Sequence, residues 1–175
     1  MQVRNLHERE FSAPAAAAGK LIDALASRED RLWPVKKWPP MRFDRPLAVG
    51  AVGGHGPIRY SVEEYRPGQL ILLRFTAPRG FNGTHRFEVK EWEGKTVLRH
   101  VIEMNITGLA LLSWPLIFRP LHDACLEDCL DCASISLEIA LSHPARYSIY
   151  VRLLRAAFRA VQFHHDSKRL KFEKN

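Results

Sequence analysis

The sequence predicts an α+β fold, a strongly curved antiparallel sheet of six or seven strands closing around one long C-terminal helix, with a further basic helix appended. Three observations lead there. From Leu116 to Leu141 apolar residues recur at helical spacing. At roughly 100° per residue, with His122 at zero, Cys125, Leu126, Cys129, Leu130, Cys132, Ala133, Ser136, Leu137 and Ala140 share one arc. Asp123, Glu127, Asp128, Asp131 and Glu138 share the opposite one. Upstream the dominant period is two, the mark of strands with one face buried. Strong turn signals, Arg66-Pro67-Gly68 and Glu93-Gly94, separate those strands. The helix is expected to lay its apolar arc on the sheet and its acidic arc in water.

The 175 residues suit one core that buries about two-thirds of the unfolded surface. A hydrophobic fraction of 46% with no low-complexity tract excludes disorder except at the ends. Met1–Glu10 is polar and mixed in charge, unlike a signal peptide. The most apolar run, 106–118, is interrupted by Ser113 and Pro115 and falls short of the ~18 residues a membrane span needs. A cytoplasmic protein with free thiols is expected, since all three cysteines crowd onto one helix. The net charge of +7 is uneven: residues 144–175 hold eight Lys/Arg against two acids, whereas 121–143 hold five acids and no Lys or Arg. A basic helix docked on the acidic back of the long helix would neutralise both.

Taken in order, Val3–Phe11 reads as a first strand, although its alternation is poor. Ser12-Ala13-Pro14 opens a helix that continues to about Ala26, with Ala18, Leu21, Ile22 and Leu25 buried. Ser27–Asp44, punctuated by Trp33-Pro34 and Trp38-Pro39-Pro40, is an irregular packed connection. Leu47–Val52 reads as a short strand running into a loop, Gly53-Gly54-His55-Gly56-Pro57. Ile58–Tyr65 and Gln69–Thr76 are strands, and Pro78–Gly83 is a loop. Thr84–Trp92 and Lys95–Ile106 form the clearest hairpin. Its two-residue turn pairs Trp92 with Lys95, hence Val89 with Leu98, Phe87 with His100 and His85 with Ile102. His85 and His100 then lie diagonally, roughly 7 Å apart along the backbone, both facing inward. After His143-Pro144 a basic helix is expected over about Ala145–Phe163, with Tyr147, Val151, Leu154, Phe158 and Val161 as its apolar stripe, followed by a frayed tail, His164–Asn175.

The order of these elements, with the Trp33/Trp38 region, the stretch from Gly53 to Tyr60, Gly83-Thr84-His85-Arg86-Phe87, and Arg119-Pro120-Leu121-His122-Asp123 followed by Glu127-Asp128 and Asp131, resembles the START-like (SRPBCC) superfamily. The nearest group is the bacterial polyketide cyclase/dehydrase and lipid-transport-like proteins. The likeness divides the chain into a ligand-binding domain, 1–142, and a basic extension, 143–175. It implies a helix-grip fold with an apolar cavity between sheet and helix, which most such proteins use to bind or carry hydrophobic molecules and a minority use for cyclisation or dehydration. It carries over no catalytic residue.

The candidate ligand-binding residues are His85, Phe87, Leu98, His100, Ile102, Met104, His122 and Leu126. The histidines could converge, and an imidazole in an apolar cavity can bind a ligand oxygen or move a proton near neutral pH. Against catalysis stands the lack of a carboxylate to orient a ring, because Asp123 should face solvent. Each could equally be a satisfied core histidine. No metal and no cofactor is expected. Cys125, Cys129 and Cys132 have the spacing of a radical S-adenosylmethionine cluster, but ~10.5 Å of helical rise separates the outer two, whereas thiolates on one metal lie within roughly 4 Å. Gly50, Gly53, Gly54 and Gly56 are followed by no Lys-Ser/Thr and open no helix, so they form no phosphate loop. A mobile loop at the cavity mouth, with His55 on its rim, is expected instead.

Three functions remain open. The first is binding or transport of a hydrophobic small molecule such as a lipid, quinone or polyketide. The second is a cyclase or dehydratase using a cavity histidine as general acid/base. The third is an interaction module acting through the basic tail, with peripheral membrane contact allowed and no nucleic-acid partner expected.

Overall fold

The computed structural model describes residues 1–141 and 143–159. The elements are β1 (Gln2–Phe11), α1 (Ala15–Asp23), β2 (Arg42–Phe43), β3 (Val52–His55), β4 (Ile58–Arg66), β5 (Leu70–Ala77), β6 (Phe81–Trp92) and β7 (Lys95–Ile106). There follow α2 (Ala110–Ser113), a π-helical turn (Trp114–Phe118) and α3 (Arg119–Ser136). Residues 149–159 are also helical and are labelled α4. The strands form one antiparallel seven-stranded sheet in the order β1-β7-β6-β5-β4-β3-β2. The expected α+β class and a sheet wrapped on a long helix are both found.

The β6–β7 hairpin has the register read from its turn: Trp92 pairs with Lys95, Val89 with Leu98, Phe87 with His100 and His85 with Ile102. Glu93 and Gly94 take φ of 50° and 75°, the left-handed pair that a two-residue hairpin turn requires. In α1 the expected stripe, Ala18, Leu21, Ile22 and Leu25, is buried. Gly19 lets this helix touch the β4–β5 turn, since a Cβ there would fall 2.2 Å from the Gly68 carbonyl oxygen.

Four expectations are corrected. Gly53, Gly54 and His55 lie in strand β3, not in a loop, and residues 47–51 are not strand. A Cβ on Gly53 would meet the Arg42 oxygen at 2.3 Å, and one on Gly54 the Ile58 oxygen at 2.2 Å. These glycines serve close strand approach rather than mobility. Strand β6 begins at Phe81, inside the expected loop. The long helical run starts at Ala110 and ends at Ser136, where the expectation was Leu116–Leu141. Glu138 turns the chain away with φ of 58°. Finally, the acidic arc of α3 is not in water: Asp128 and Asp131 are 1% and 6% exposed.

The burial of those acids has a geometric cause. On β1 the inward side chains Asn5, His7 and Arg9 repeat every two residues, a step of ~6.7 Å. On α3 Asp123, Glu127 and Asp131 repeat every four residues, a step of ~6 Å. The two ladders therefore stay in register. Asn5 Nδ2 donates to Asp123 at 2.9 Å, His7 lies between Asp123 (3.0 Å) and Glu127 (2.9 Å), and Arg9 donates to Asp131 at 2.8 Å and Glu127 at 3.4 Å. On the other flank of the helix Asp128 receives Lys37 Nζ at 2.6 Å, Trp38 Nε1 at 2.7 Å and the Tyr147 hydroxyl. The segment after the helix packs back onto it, with the Ala145 amide on Asp131 at 2.8 Å. The Arg155 guanidinium lies over the Trp38 and Tyr147 rings, 4.3 and 4.2 Å from their centroids. Of the expected C-terminal stripe, Val151 is buried, while Val161 and the tail from His164 lie outside the described residues.

Arg9→Ala leaves the buried Asp131 carboxylate with only the Ala145 amide. Because Arg9 itself keeps some contact with water, the loss of unfolding free energy should be about 2–3 kcal/mol, below the 3–5 typical of a fully buried pair. Urea denaturation measures it, and a loss under about 1 kcal/mol would reduce the β1–α3 contacts to surface ion pairs.

Candidate functional site

The concave face of the sheet, α3, the Trp33–Pro39 connection and α4 enclose an apolar cavity of about 330 Å³. The sheet contributes Phe75, Phe81, Phe87 and Ile102 to its wall, and the helical run contributes Trp114, Phe118, Leu121, His122, Cys125 and Leu126. The helical set follows i, i+4 spacing from Trp114 through Phe118 and His122 to Leu126, the stripe a helix presents to a facing sheet. Arg155 and Phe158 of α4 complete the wall beside Trp38.

Six of the eight candidate residues, His85, Phe87, His100, Ile102, His122 and Leu126, line this cavity. Leu98 and Met104 share the inward face of β7 and are buried, but they stand toward its two ends and outside the cavity wall. His55 also lines it from the end of β3, its ring 4.7 Å from that of Trp33 and its Nδ1 3.2 Å from the Tyr60 hydroxyl. Trp33, Trp38, Trp114 and Phe118 were not among the candidates. Their signal was the run of Trp-Pro pairs, which marks rigid connections that carry large apolar side chains.

Three histidines converge. His85 Nδ1 and His100 Nε2 are 3.1 Å apart, and the His100 and His122 rings are 5.0 Å apart. Burial drives the pKa of each below its ordinary value, so all three are neutral at pH 7. His85 Nε2, His100 Nδ1 and His122 Nε2 are buried and have no partner among the described residues. Unpartnered polar atoms on an apolar wall are the places where a guest's polar groups can be met.

Asp123 corrects the expectation that no carboxylate reaches a histidine. The ladder on β1 draws it inward, and its Oδ1 lies 3.5 Å from His122 Nδ1 while also receiving Asn5 and His7. Burial opposes its ionisation, but the hydrogen bonds from His122, His7 and Asn5 outweigh burial and hold its pKa far below the carboxylate range. For His7 burial likewise opposes the charge, and the bonds to Asp123 and Glu127 prevail and raise its pKa. A carboxylate only accepts, so His7 carries hydrogen on both nitrogens and is a cation. His7, His122 and Asp123 bring three ligand-type atoms within 4.8 Å of one another. The His7 charge and the hydrogen bonds from Asn5 and His122 already balance Asp123. Cys125, Cys129 and Cys132 stand along α3 as free thiols, Cys129 deep in the core with burial pushing its pKa up.

No protein-family model matches the sequence, and no curated protein matches it. Solved structures do. The chain is similar to a norcoclaurine synthase point mutant from Thalictrum flavum in complex with a transition-state analogue, at 17% identity over 79% of this chain and 96% of that one, TM-score 0.58. CalU16 from Micromonospora echinospora matches at 10% identity over 90% and 91%, TM-score 0.54. The di-domain ARO/CYC StfQ from the steffimycin biosynthetic pathway matches at 14% identity over 79% of this chain, TM-score 0.58, and this chain spans 51% of it. The chain has the START-like helix-grip fold. In this helix-grip protein the grip is the β1–α3 ladder, and the hollow lies on the opposite side of the same helix. Among the described residues no helix is long and apolar enough to cross a membrane.

The buried imidazoles set a pH dependence. In the unfolded chain His85 and His100 titrate near 6.5, whereas burial lowers both in the fold. Below 6.5 the unfolded chain binds the extra protons, so stability is complete above that pH and falls as the pH drops, by up to about 1.4 kcal/mol per unit for each group. His7 has the opposite sign, since its raised pKa adds stability below 6.5 that fades as the pH rises through its folded value. His55 and His122 are lowered as well, so with four groups against one the urea midpoint should fall as the pH drops from about 7 to 5, less steeply in His100→Gln. A midpoint that rises over that range would mean the cavity histidines are charged in the fold.

Proposed function

We propose that the protein binds and carries a hydrophobic small molecule, of the lipid, quinone or polyketide kind, in the cavity between sheet and α3. The observation that carries this reading is an apolar hollow of about 330 Å³ lined by three histidines, each with one buried ring nitrogen that has no partner among the described residues. That volume lies at the lower end of the range for small-molecule sites, roughly 300–1,000 Å³. It suits a compact ring-bearing guest better than two long acyl chains. Another norcoclaurine synthase structure from Thalictrum flavum holds dopamine and hydroxybenzaldehyde, so this fold can take hydroxylated aromatics. The aromatic wall supplies contact area, and His85, His100 and His122 meet the guest's polar end.

Native mass spectrometry of the protein as purified, with organic extraction of the same sample, should show a bound hydrophobic compound. Cys125→Phe places a ring in the hollow and should weaken rebinding of that compound at least about tenfold, a loss of ~1.4 kcal/mol. An empty wild-type protein that also takes up no aromatic guest would contradict the reading.

A second reading, peripheral contact with an anionic membrane surface, has its own support. Leu109, Leu112 and Leu116 are 84%, 65% and 55% exposed, as are Ile149 and Leu153 at 75% and 63%. The Tyr150 hydroxyl bonds to the Leu116 carbonyl, so the two leucine-bearing helices adjoin near the cavity. Residues 107–118 and 144–159 contain no Asp or Glu, and the latter carry Arg146, Arg152, Arg155 and Arg159. Apolar side chains ringed by arginine suit acidic lipid headgroups. Sedimentation with vesicles containing phosphatidylserine should pull the protein down in low salt, and Leu112→Asp with Leu153→Asp should abolish this. Equal recovery of the wild type and this double variant would contradict it.

A further inference from the structure

We propose that His122 is an acid–base residue for the guest of this cavity, with Asp123 and His7 as its positioning residues. The inference rests on the cavity being a ligand site, and adds proton transfer to carriage. It starts from one oxygen. Asp123 Oδ1 faces three nitrogens, Asn5 Nδ2 at 2.9 Å, His7 Nε2 at 3.0 Å and His122 Nδ1 at 3.5 Å. An ionised carboxylate accepts and cannot donate, so the His122 nitrogen turned toward it carries the hydrogen. A neutral imidazole has one N–H. His122 Nε2 is therefore bare: it is buried, no group among the described residues binds it, and the residue lines the apolar cavity.

The surroundings keep that lone pair available. The His7 cation, clamped between Asp123 and Glu127, and Arg119, 3.7 Å from Asp123 Oδ2, hold the carboxylate ionised. The other rings near His122 are His100 at 5.0 Å and Trp114 at 6.1 Å, and neither gives Nε2 a hydrogen bond. Desolvation lowers the basicity of His122, with a smaller contribution from the His7 charge, and Asp123 opposes them in part. The Asp123 carboxylate behind the ring favours proton uptake at Nε2.

The His85–His100 pair supplies what the conjugate base would need. One hydrogen is shared across their 3.1 Å contact. Whichever ring holds it, the two outward nitrogens, His85 Nε2 and His100 Nδ1, comprise one N–H and one bare nitrogen. The pair thus always holds one unpartnered N–H that can meet developing negative charge, without ionising either ring. The guest this chemistry fits is a hydrophobic carbonyl compound with a hydrogen on the adjacent carbon, or a phenol. In the carbonyl case the C–H bond breaks, its proton goes to His122 Nε2, and the electron pair moves into an enolate whose oxygen takes the imidazole N–H. Return of the same proton to another atom of the guest completes an isomerisation with no oxidant, reductant or co-reactant.

Two measurements test this. Long-range proton–nitrogen correlation spectra, with the His122 signals assigned through His122→Gln, should show the Nδ1–H form in the wild type and a shift toward Nε2–H in Asp123→Asn. The Nε2–H form in the wild type, which a metal on Nδ1 would also impose, would overturn the proposal. The second probe is 4-nitrophenol, whose absorbance reports its own ionisation. At any one pH the bound phenol should be more ionised in the wild type than in His122→Gln. In His122→Gln the bound phenol should have its ionisation constant lowered about tenfold, one pK unit, and its affinity should fall with it. Ionisation unchanged in His122→Gln would overturn the role of His122 while leaving carriage intact. Failure of the wild type to bind the phenol would count against the cavity reading instead, and the tautomer spectra would then decide the role of His122.

Discussion

Strand β1 and helix α3 meet through two polar ladders of nearly equal pitch, and the rest of the molecule depends on that fit. Asn5, His7 and Arg9 climb the strand in step with Asp123, Glu127 and Asp131 on the helix. A polar interface is directional, so it sets both the height and the rotation of the helix, which apolar packing alone would leave freer. Asp128 repeats the arrangement on the far flank with Lys37 and Trp38. Held along both flanks, α3 need not sink onto the sheet to bury its apolar face. The space left under it is the cavity.

The same arrangement sorts charge from neutrality. Ionised groups stand at the margin, where each carboxylate has two or more donors and reaches water through half-exposed neighbours such as Glu127. On the sheet side of the wall His85 and His100 are imidazoles kept neutral by burial. His122 stands at the border, one nitrogen toward the charged ladder and the other buried without a partner in a residue that lines the hollow. Its position gives an otherwise greasy container a group able to exchange protons, and it follows from the adjacency of His122 and Asp123 in the sequence, which turns the two side chains about 100° apart on the helix.

Much of this was legible in the sequence where the physics is local. A two-residue turn at Glu93-Gly94 fixes a register, and the register alone brings His85 beside His100. The helical stripe through His122 and Leu126 likewise predicted which face meets the sheet. The acidic arc was misread because a helical wheel sorts residues by affinity for water and is blind to a polar partner from a distant segment. The clue lay in β1, whose poor alternation comes from Asn5, His7 and Arg9 occupying inward positions between Val3 and Phe11. Gly53 and Gly54 misled for a related reason, since glycine marks a close backbone approach as readily as a loop, and only the partner strands distinguish them. The place of α4 in the cavity wall depends on Arg155 stacking over Trp38 and Tyr147, a contact between segments more than a hundred residues apart for Trp38.

The central claim is that flank-held α3 leaves a standing hollow over the sheet. Crystals of the protein under xenon pressure test it most directly, because an apolar cavity of this kind admits xenon and the atom is located by its anomalous scattering. The account predicts xenon between Phe87, Ile102 and Leu126, with α3 unmoved. A helix settled onto the sheet, with no xenon beneath it, would contradict it.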